Sequence, residues 1–361
     1  MASPSRRIAI LAEGQFVPFE AKTAIGLLRY RPGDVVAVID SRRAGATAHE
    51  CVGTGGTIPV VAGVEAAQAL GADTLVIGIA PAGGRLPLEW RPILEAALDR
   101  GWRIVSGMHT FLGDDRELAA RAAVHGGALD DVRRPPRDIR IGLKRAASLD
   151  ALVVLTVGTD CNVGKMTASL ELQRALRERG VRTSFVATGQ TGIMIAGRGV
   201  AADAVPADFV AGAIERHVLE AAVDHDIVIV EGQGSLHHPA YSGVSLGLLH
   251  GCCPSALILC HHHGRERMRI GSDTEADGPP LPTLEAAAES ARAAAAWVHP
   301  ARLAAVALNT WGSSEPQARE ACAAVQRSLQ VPVSDPIRFG SRPIADALRA
   351  LRAERAAVRL S

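Results

Sequence analysis

The stretch Leu152-Val-Val-Leu-Thr-Val-Gly158-Thr-Asp-Cys-Asn-Val-Gly164-Lys165-Met166-Thr167 constrains the fold of this chain more than any other. A continuous apolar run predicts a buried strand. The two glycines predict a tight turn, and the residues from Lys165 onward predict a helix. Backbone N–H groups in such a turn, with the N-terminus of the helix, form a cradle for an anion. Lys165 adds a positive charge for phosphates. The general pattern G-x-x-x-x-G-K-[ST] is met at Gly164 and Lys165. It is broken at Thr159, which takes the first glycine position, and at Met166, which replaces the hydroxyl residue. That hydroxyl coordinates Mg²⁺ in phosphate-loop enzymes. A thioether is a soft ligand and does not replace it for a hard cation. Thr167 points about 100° away on the helix. The loop therefore suits a pyrophosphate and leaves Mg–ATP chemistry in question.

Short β-branched runs alternate with helical stretches along nearly the whole chain, which predicts βα units and parallel sheets. With 361 residues the chain is long enough for two domains. In the first half strands are predicted over 8–11, 35–39, 59–61, 74–79 and 103–106, with helices over 20–29, 64–70 and 92–99 and another after Asp114. The Arg-Arg-Pro-Pro-Arg texture within 131–140 predicts a linker, since paired prolines block regular structure. In the second half strands are predicted over 152–157, 183–187, 227–230, 256–260, 303–308 and 331–333. Helices are predicted over 165–179, 208–223, 284–297 and 316–329, and an exposed loop over 271–282. The fold class is thus α/β in two domains. Residues 1–135 form a Rossmann-like parallel sheet, and 136–361 a P-loop NTPase-like parallel sheet.

Lys plus Arg is 39 against 38 Asp plus Glu, a balance that argues against general nucleic-acid binding. The six cysteines show no disulfide or zinc spacing, and no apolar run approaches membrane-spanning length. The apolar run after the N-terminus ends at Glu13, too early for a signal peptide, so a cytoplasmic setting is expected.

The candidate site residues gather at predicted strand ends, where open α/β sheets bind ligands. The phosphate cradle comprises Gly158, Thr159, Asp160, Cys161, Asn162, Val163, Gly164, Lys165, Met166 and Thr167. The strand Asp226-Ile-Val-Ile-Val ends in Glu231-Gly-Gln233-Gly, so Glu231 is a candidate metal ligand, general base or cap of the following turn. His237 and His238 follow it, and Cys260-His261-His262-His263-Gly-Arg265 ends the next strand. Histidine titrates near neutral pH, which makes His237 and His261, with Glu231, the candidate catalytic groups. Extended consecutive histidines alternate in direction, so His261 to His263 do not share one metal, and no metal site is expected. Arg265 suits a carboxylate or phosphate. Gln190 and Thr191, in a predicted turn, and Gln233, His238 and His262 are candidate substrate contacts. In the first half Glu13 and Asp40 end strands without a G-x-G-x-x-G run, which supports dinucleotide binding poorly. Asp114 or Asp115 is read as a helix cap.

The spelling Gly158-Thr-Asp-x-x-Val-Gly-Lys resembles the loop of dethiobiotin synthetase, Gly-Thr-Asp-Thr-x-Val-Gly-Lys-Thr, and the run ending in Glu231-Gly resembles its Val-Glu-Gly. In related phosphate-loop enzymes the position of Asn309 reads a purine base, which adds Asn309 to the cofactor contacts. Along nearly the entire chain, domain order and the run Gly-Thr-Asp-Cys-x-Val-Gly-Lys-Met-Thr resemble the DUF1611 family. That resemblance implies N-acetyl transfer from acetyl-CoA to a small amino acid such as D-glutamate, in D-amino-acid catabolism. It also implies an enolase-superfamily epimerase as pathway partner. Coenzyme A carries a pyrophosphate that is not cleaved, which fits a loop with methionine at position 166. Two other readings remain at this stage. One is an ATP- and Mg-dependent ligase or kinase like dethiobiotin synthetase, whose kind often pairs, so a homo-oligomer is expected. The other is a nucleotide-binding regulator without turnover.

Overall fold

The computed structural model describes residues 6–18, 20–79, 84, 86–270 and 278–360. The expected exposed loop over 271–282 falls mostly on residues 271–277, outside the described residues. The chain divides into two compact units, Met1–Arg134 with Ile193–Gly197, and Pro135–Gly192 with Arg198–Ser361.

In the first unit the strands are β1 (Ile8–Leu11), β2 (Val35–Ile39), β3 (Val60–Val61), β4 (Thr74–Ile77), β5 (Arg103–Ser106) and β6 (Ala128–Asp131). Between them lie α1 (Lys22–Tyr30), α2 (Ala48–Val52), α3 (Val64–Ala69), α4 (Arg91–Leu98) and α5 (Arg116–His125). The sheet order is β3-β2-β1-β4-β5-β6, and its pairings are parallel, the doubly wound Rossmann-like arrangement. The acids at its strand ends serve their own loops. Asp40 accepts from Phe16 N (3.2 Å) and Arg42 N (3.1 Å), and Glu13 accepts from Ser41 N (2.8 Å). Asp115 caps α5 by accepting from Glu117 N and Leu118 N at 3.0 and 3.1 Å.

In the second unit the strands are β7 (Leu152–Gly158), β8 (Thr183–Val186), β9 (Ile227–Val230), β10 (Ala256–His262), β11 (Arg302–Asn309) and β12 (Val333–Ser334). The helices are α6 (Lys165–Arg177), α7 (Gln190–Ala196), α8 (Ala207–Ala222), α9 (Ser242–Cys252), α10 (Leu284–Ala296), α11 (Glu315–Leu329) and α12 (Arg342–Leu360). The order β12-β11-β10-β7-β9-β8 is again parallel throughout. Helices on both faces bury the central strands, which is why β9 reads as four consecutive apolar residues, all buried. The phosphate loop leaves β7, in the middle of the sheet.

Five elements were not legible in the sequence: α2, β6, α7, α9 and α12. The segment Thr188–Gly192, read as a turn, turns only at Thr188 and Gly189, and α7 begins at Gln190. In α9 the glycines every four residues suggest a loop. Two of them are instead packing positions, since a side chain at Gly247 would meet Val210 of α8 and one at Gly251 would meet the Ala211 carbonyl. The linker 131–140 overlaps β6 and then runs onto α8, where buried Glu215 accepts from Leu143 N (3.2 Å) and Arg145 N (2.5 Å).

Gly212 of α8 fixes that approach, because a Cβ there would fall on the Arg140 carbonyl. In an exposed helix interior Gly→Ala is favourable by about 1 kcal/mol. Here the sign is reversed: Gly212→Ala is expected to lower unfolding stability by roughly 1–3 kcal/mol, because the linker must move. Urea denaturation beside Gly243→Ala, where a Cβ meets nothing within 4 Å, measures the difference.

Candidate functional site

The loop between β7 and α6 turns because Asn162 (φ 55°) and Gly164 (φ 103°) are left-handed. Asparagine and glycine are the residues that take this conformation at least cost. Gly164 is the N-cap of α6 and makes no side-chain capping bond, so the first N–H groups of the helix are open toward the loop. Together they make the anion cradle.

A buried carboxylate holds the cradle in shape. Asp160 Oδ1 accepts from Cys161 N at 2.7 Å, and Oδ2 accepts from Arg269 N at 2.9 Å and Arg265 Nη1 at 3.0 Å. Arg265 Nη1 also donates to Cys161 O at 2.8 Å. The segment after β10 is thereby tied to the phosphate loop. His238 completes the tie: its Nδ1 accepts from Ala240 N (3.1 Å), so Nε2 carries the proton and donates to Arg269 O (3.0 Å). Its ring stacks on Tyr241 with centroids 4.4 Å apart. Thr159 Oγ1 and His261 Nδ1 lie 2.9 Å apart, and burial pushes His261 down to about 4, so its imidazole is neutral at physiological pH.

Lys165 is buried and its Nζ donates to Asp160 O (2.7 Å) and Gly234 O (2.8 Å), spanning the loop from side to side. Burial lowers its pKa, while Cys260, Cys161, Asp160 and Glu231 pull it upward. Glu231 Oε2 accepts from Thr188 N (2.9 Å) and Gly189 N (3.2 Å). It caps the turn after β8, on the neighbouring strand, not the turn that follows it in sequence. Burial raises its carboxyl to about 7 against the opposing pull of those two amides and Lys165. Gln233 Nε2 donates to Thr188 Oγ1 at 3.1 Å, which joins Gln233 to the same turn.

Asp160, Cys161 and His238 bring three potential metal-ligand atoms within 4.8 Å of one another. Asp160 is already neutralised by Arg265, and both His238 nitrogens are engaged. The Mg²⁺ that phosphate-loop folds commonly carry fits this donor set poorly. Met166 has no hydroxyl, Asp160 holds a guanidinium, and Glu231 is turned to backbone amides.

The remaining expected residues are spread along the rim. His237 is half-buried, with Nε2 3.1 Å from Ser290 Oγ of α10, and it lines a small pocket with Gly158, Gly232 and Gln233. His262 Nδ1 lies 3.0 Å from His263 O. Gln190 and Thr191 open α7. Asn309 ends β11, and its Nδ2 lies 4.0 Å from where a Cβ of Gly164 would stand, so it borders the cradle. One residue escaped the sequence reading. Asp335 follows β12 and accepts from Thr310 N (2.8 Å) and Thr310 Oγ1 (2.6 Å). The signal was available, since a carboxylate at a strand end is also what singled out Glu231.

Fold and cradle together define a phosphate-loop protein with a Rossmann-like N-terminal domain. Residues 140–345 match the DUF1611_C P-loop domain of unknown function, and residues 41–135 match the DUF1611_N Rossmann-like domain. The chain belongs to the DUF1611 family. It is 39% identical over 334 residues to a D-glutamate N-acetyltransferase of Tritonibacter scottomollicae, covering 92% of this chain and 95% of the relative. A D-glutamate N-acetyltransferase of a Pseudoalteromonas species is 42% identical over 277 residues, 76% of this chain and 81% of the relative. A crystal structure of a DUF1611 family protein from Anabaena variabilis superposes with a TM-score of 0.89 at 38% identity, covering 96% of this chain and 99% of that one.

Glu231 links the site to pH. Its folded pKa of about 7 lies above the ordinary carboxyl value of 4.5, so the protonated form is favoured by folding. That contribution is complete below the unfolded value and is lost as pH rises through about 7. The loss amounts to about 3 kcal/mol at 1.36 kcal/mol per unit. Between pH 4.5 and 8 the wild type should therefore lose more stability from this group than Glu231→Gln, whose amide does not ionise. Urea unfolding of both proteins across that range is the check, and parallel curves would rule the assignment out.

Proposed function

We propose that the chain is an N-acetyltransferase that moves the acetyl group of acetyl-CoA to the amino group of a small amino acid of the D-glutamate kind. The observation that carries this reading is the cradle itself. It pairs a buried lysine and open helix N–H groups with Met166 and an Asp160 already neutralised by Arg265. Such a loop suits a pyrophosphate that is gripped and left intact, as in coenzyme A. Phosphoryl transfer would call on a metal ion to neutralise developing charge. The names of the two relatives, over most of this chain's length, support the same reading.

The acceptor enters as an ammonium and must lose a proton before its nitrogen attacks. The nitrogen then bonds to the thioester carbonyl carbon. The C–S bond breaks, its electron pair leaves on sulfur, and the sulfur takes up, as the CoA thiol, the second proton that the nitrogen sheds on becoming an amide. Among the candidate groups we assign the proton acceptor to His237. Its imidazole is half-buried at the pocket wall, with Ser290 as orienting partner. Glu231 and His261 hydrogen-bond the turn after β8 and Thr159 of the loop, and they serve as positioning residues. Donors for the thioester oxyanion are proposed among the N–H groups of Gln233 and Gly234. Gly232 N itself is held by Thr156 Oγ1 at 2.9 Å.

Two expectations follow. CoA and acetyl-CoA raise the melting temperature equally with Mg²⁺ or with EDTA, and Lys165→Ala abolishes the rise, as read by thermal shift. Stabilisation by Mg–ATP alone would replace this reading with an ATP-dependent one. Second, His237→Asn lowers kcat for acetylation of D-glutamate by roughly 100-fold or more, the range of a lost general base, with the CoA-induced shift unchanged. Full turnover in that variant would move the proton to another group.

A further inference from the structure

The sheet order gives the two flanks of the cradle opposite characters. On one side of β7 the ends of β9 and β8 present polar groups around a single turn: buried Glu231 and Thr188, with half-buried Gln233. On the other side, beyond β10, the ends of β11 and β12 carry two large apolar side chains exposed to water. Trp311 is 60% exposed and Ile337 is 52% exposed.

This exposure sits on a rigid frame. Asp335, 5% exposed, accepts from Thr310 N and Oγ1 through Oδ2, and from Ile337 N (2.9 Å) and Arg338 N (3.0 Å) through Oδ1. Arg338 Nη2 reaches back to Thr310 O (3.3 Å) and Ser313 O (2.9 Å). One carboxylate and one guanidinium thus lock the loop after β11 to the loop after β12. Asn309 Oδ1 accepts from Trp311 N at 3.0 Å, while Asn309 Nδ2 borders Gly164. Asn309 thus stands between the phosphate cradle and the loop that carries the exposed indole of Trp311. Trp297, 70% exposed after α10, lies at the opposite end of the strands, with its ring edge-on to His250.

We propose that Trp311 is the stacking surface for the purine base of the ligand whose pyrophosphate occupies the cradle. The base lies over the ends of β11 and β12, and the ligand's reacting arm is directed toward the ends of β9 and β8. The inference rests on the nucleotide-binding part of the proposed function and fixes the direction in which the ligand lies. A flat heterocycle gains from a ring face already held in place, and the polar flank is left for the chemistry.

The test is calorimetric titration of the full-length chain with four probes: CoA, ADP, 4′-phosphopantetheine and inorganic pyrophosphate. Trp311→Ala should weaken CoA and ADP by about tenfold to a hundredfold, the size of one lost stacking contact, and leave the two probes without adenine unchanged. Trp311→Phe should recover most of the loss, and Trp297→Phe should change nothing. Equal weakening of all four probes, or no weakening of CoA and ADP, overturns the proposal. Wild-type binding of ADP without CoA, still sensitive to Trp311→Ala, would sink the acetyl-CoA reading and leave the base platform standing. If no adenine ligand binds the wild type, both fall.

Discussion

The second unit depends on the carboxylate of Asp160. Taking a charge out of water is costly unless it is paired and hydrogen-bonded. Asp160, fully buried, meets that condition with donors from Cys161, Arg265 and Arg269. Two of these come from the segment after β10, so satisfying one charge fixes two loops. The loop carbonyl of Asp160 then becomes one of the two acceptors that hold Lys165 in place. Cradle, lysine and rim are consequences of one solvation requirement.

Burial also sets the balance between Lys165 and Glu231. Burial lowers the lysine's pKa and raises the carboxyl's, and each pulls the other back toward its charged form. Among the described residues neither has a dedicated ion-pair partner. Lys165 leans on two carbonyls and Glu231 on two amides, so the network is built from backbone dipoles. Dipoles neutralise a charge less completely than a counter-ion does. That leaves Lys165 able to exchange its carbonyl partners for a phosphate, while Arg265, paired with Asp160 itself, stays part of the frame.

The sequence was legible where one residue type has one physical use. Apolar β-branched runs gave the strands of both sheets except β6, whose sequence Ala-Leu-Asp-Asp carries no such run, and glycine with lysine gave the cradle. It was less legible where a residue has two uses. Glycine marks loops, but in α9 it marks a helix packed tightly on α8. Glycines flanking Gln190 and Thr191 hid the start of α7. Arginine in a histidine-rich segment suggests a ligand contact, but Arg265 Nη1 is turned onto the loop's own aspartate. Glu231 follows β9, where the strand pattern puts it. That it caps the turn after β8 depends on β8 and β9 being neighbours in the sheet, a pairing no local pattern encodes.

A phosphate loop does not dictate phosphoryl transfer, because function resides in the side chains a fold carries. What the fold supplies is an anion cradle at the middle of a sheet, with a flank on either side. Here Met166 has no hydroxyl, Asp160 is paired with Arg265 and Glu231 accepts from backbone amides, which under the proposed function leaves the cradle as a grip. A grip is useful for a molecule whose reactive end is far from its phosphates. The two flanks can then specialise, one becoming a rigid apolar rim that Asp335 holds in place, the other a polar turn held by Glu231. Under the proposed function, the asymmetry of the sheet, with the cradle between unlike neighbours, lets an anion site serve chemistry performed at a distance from it.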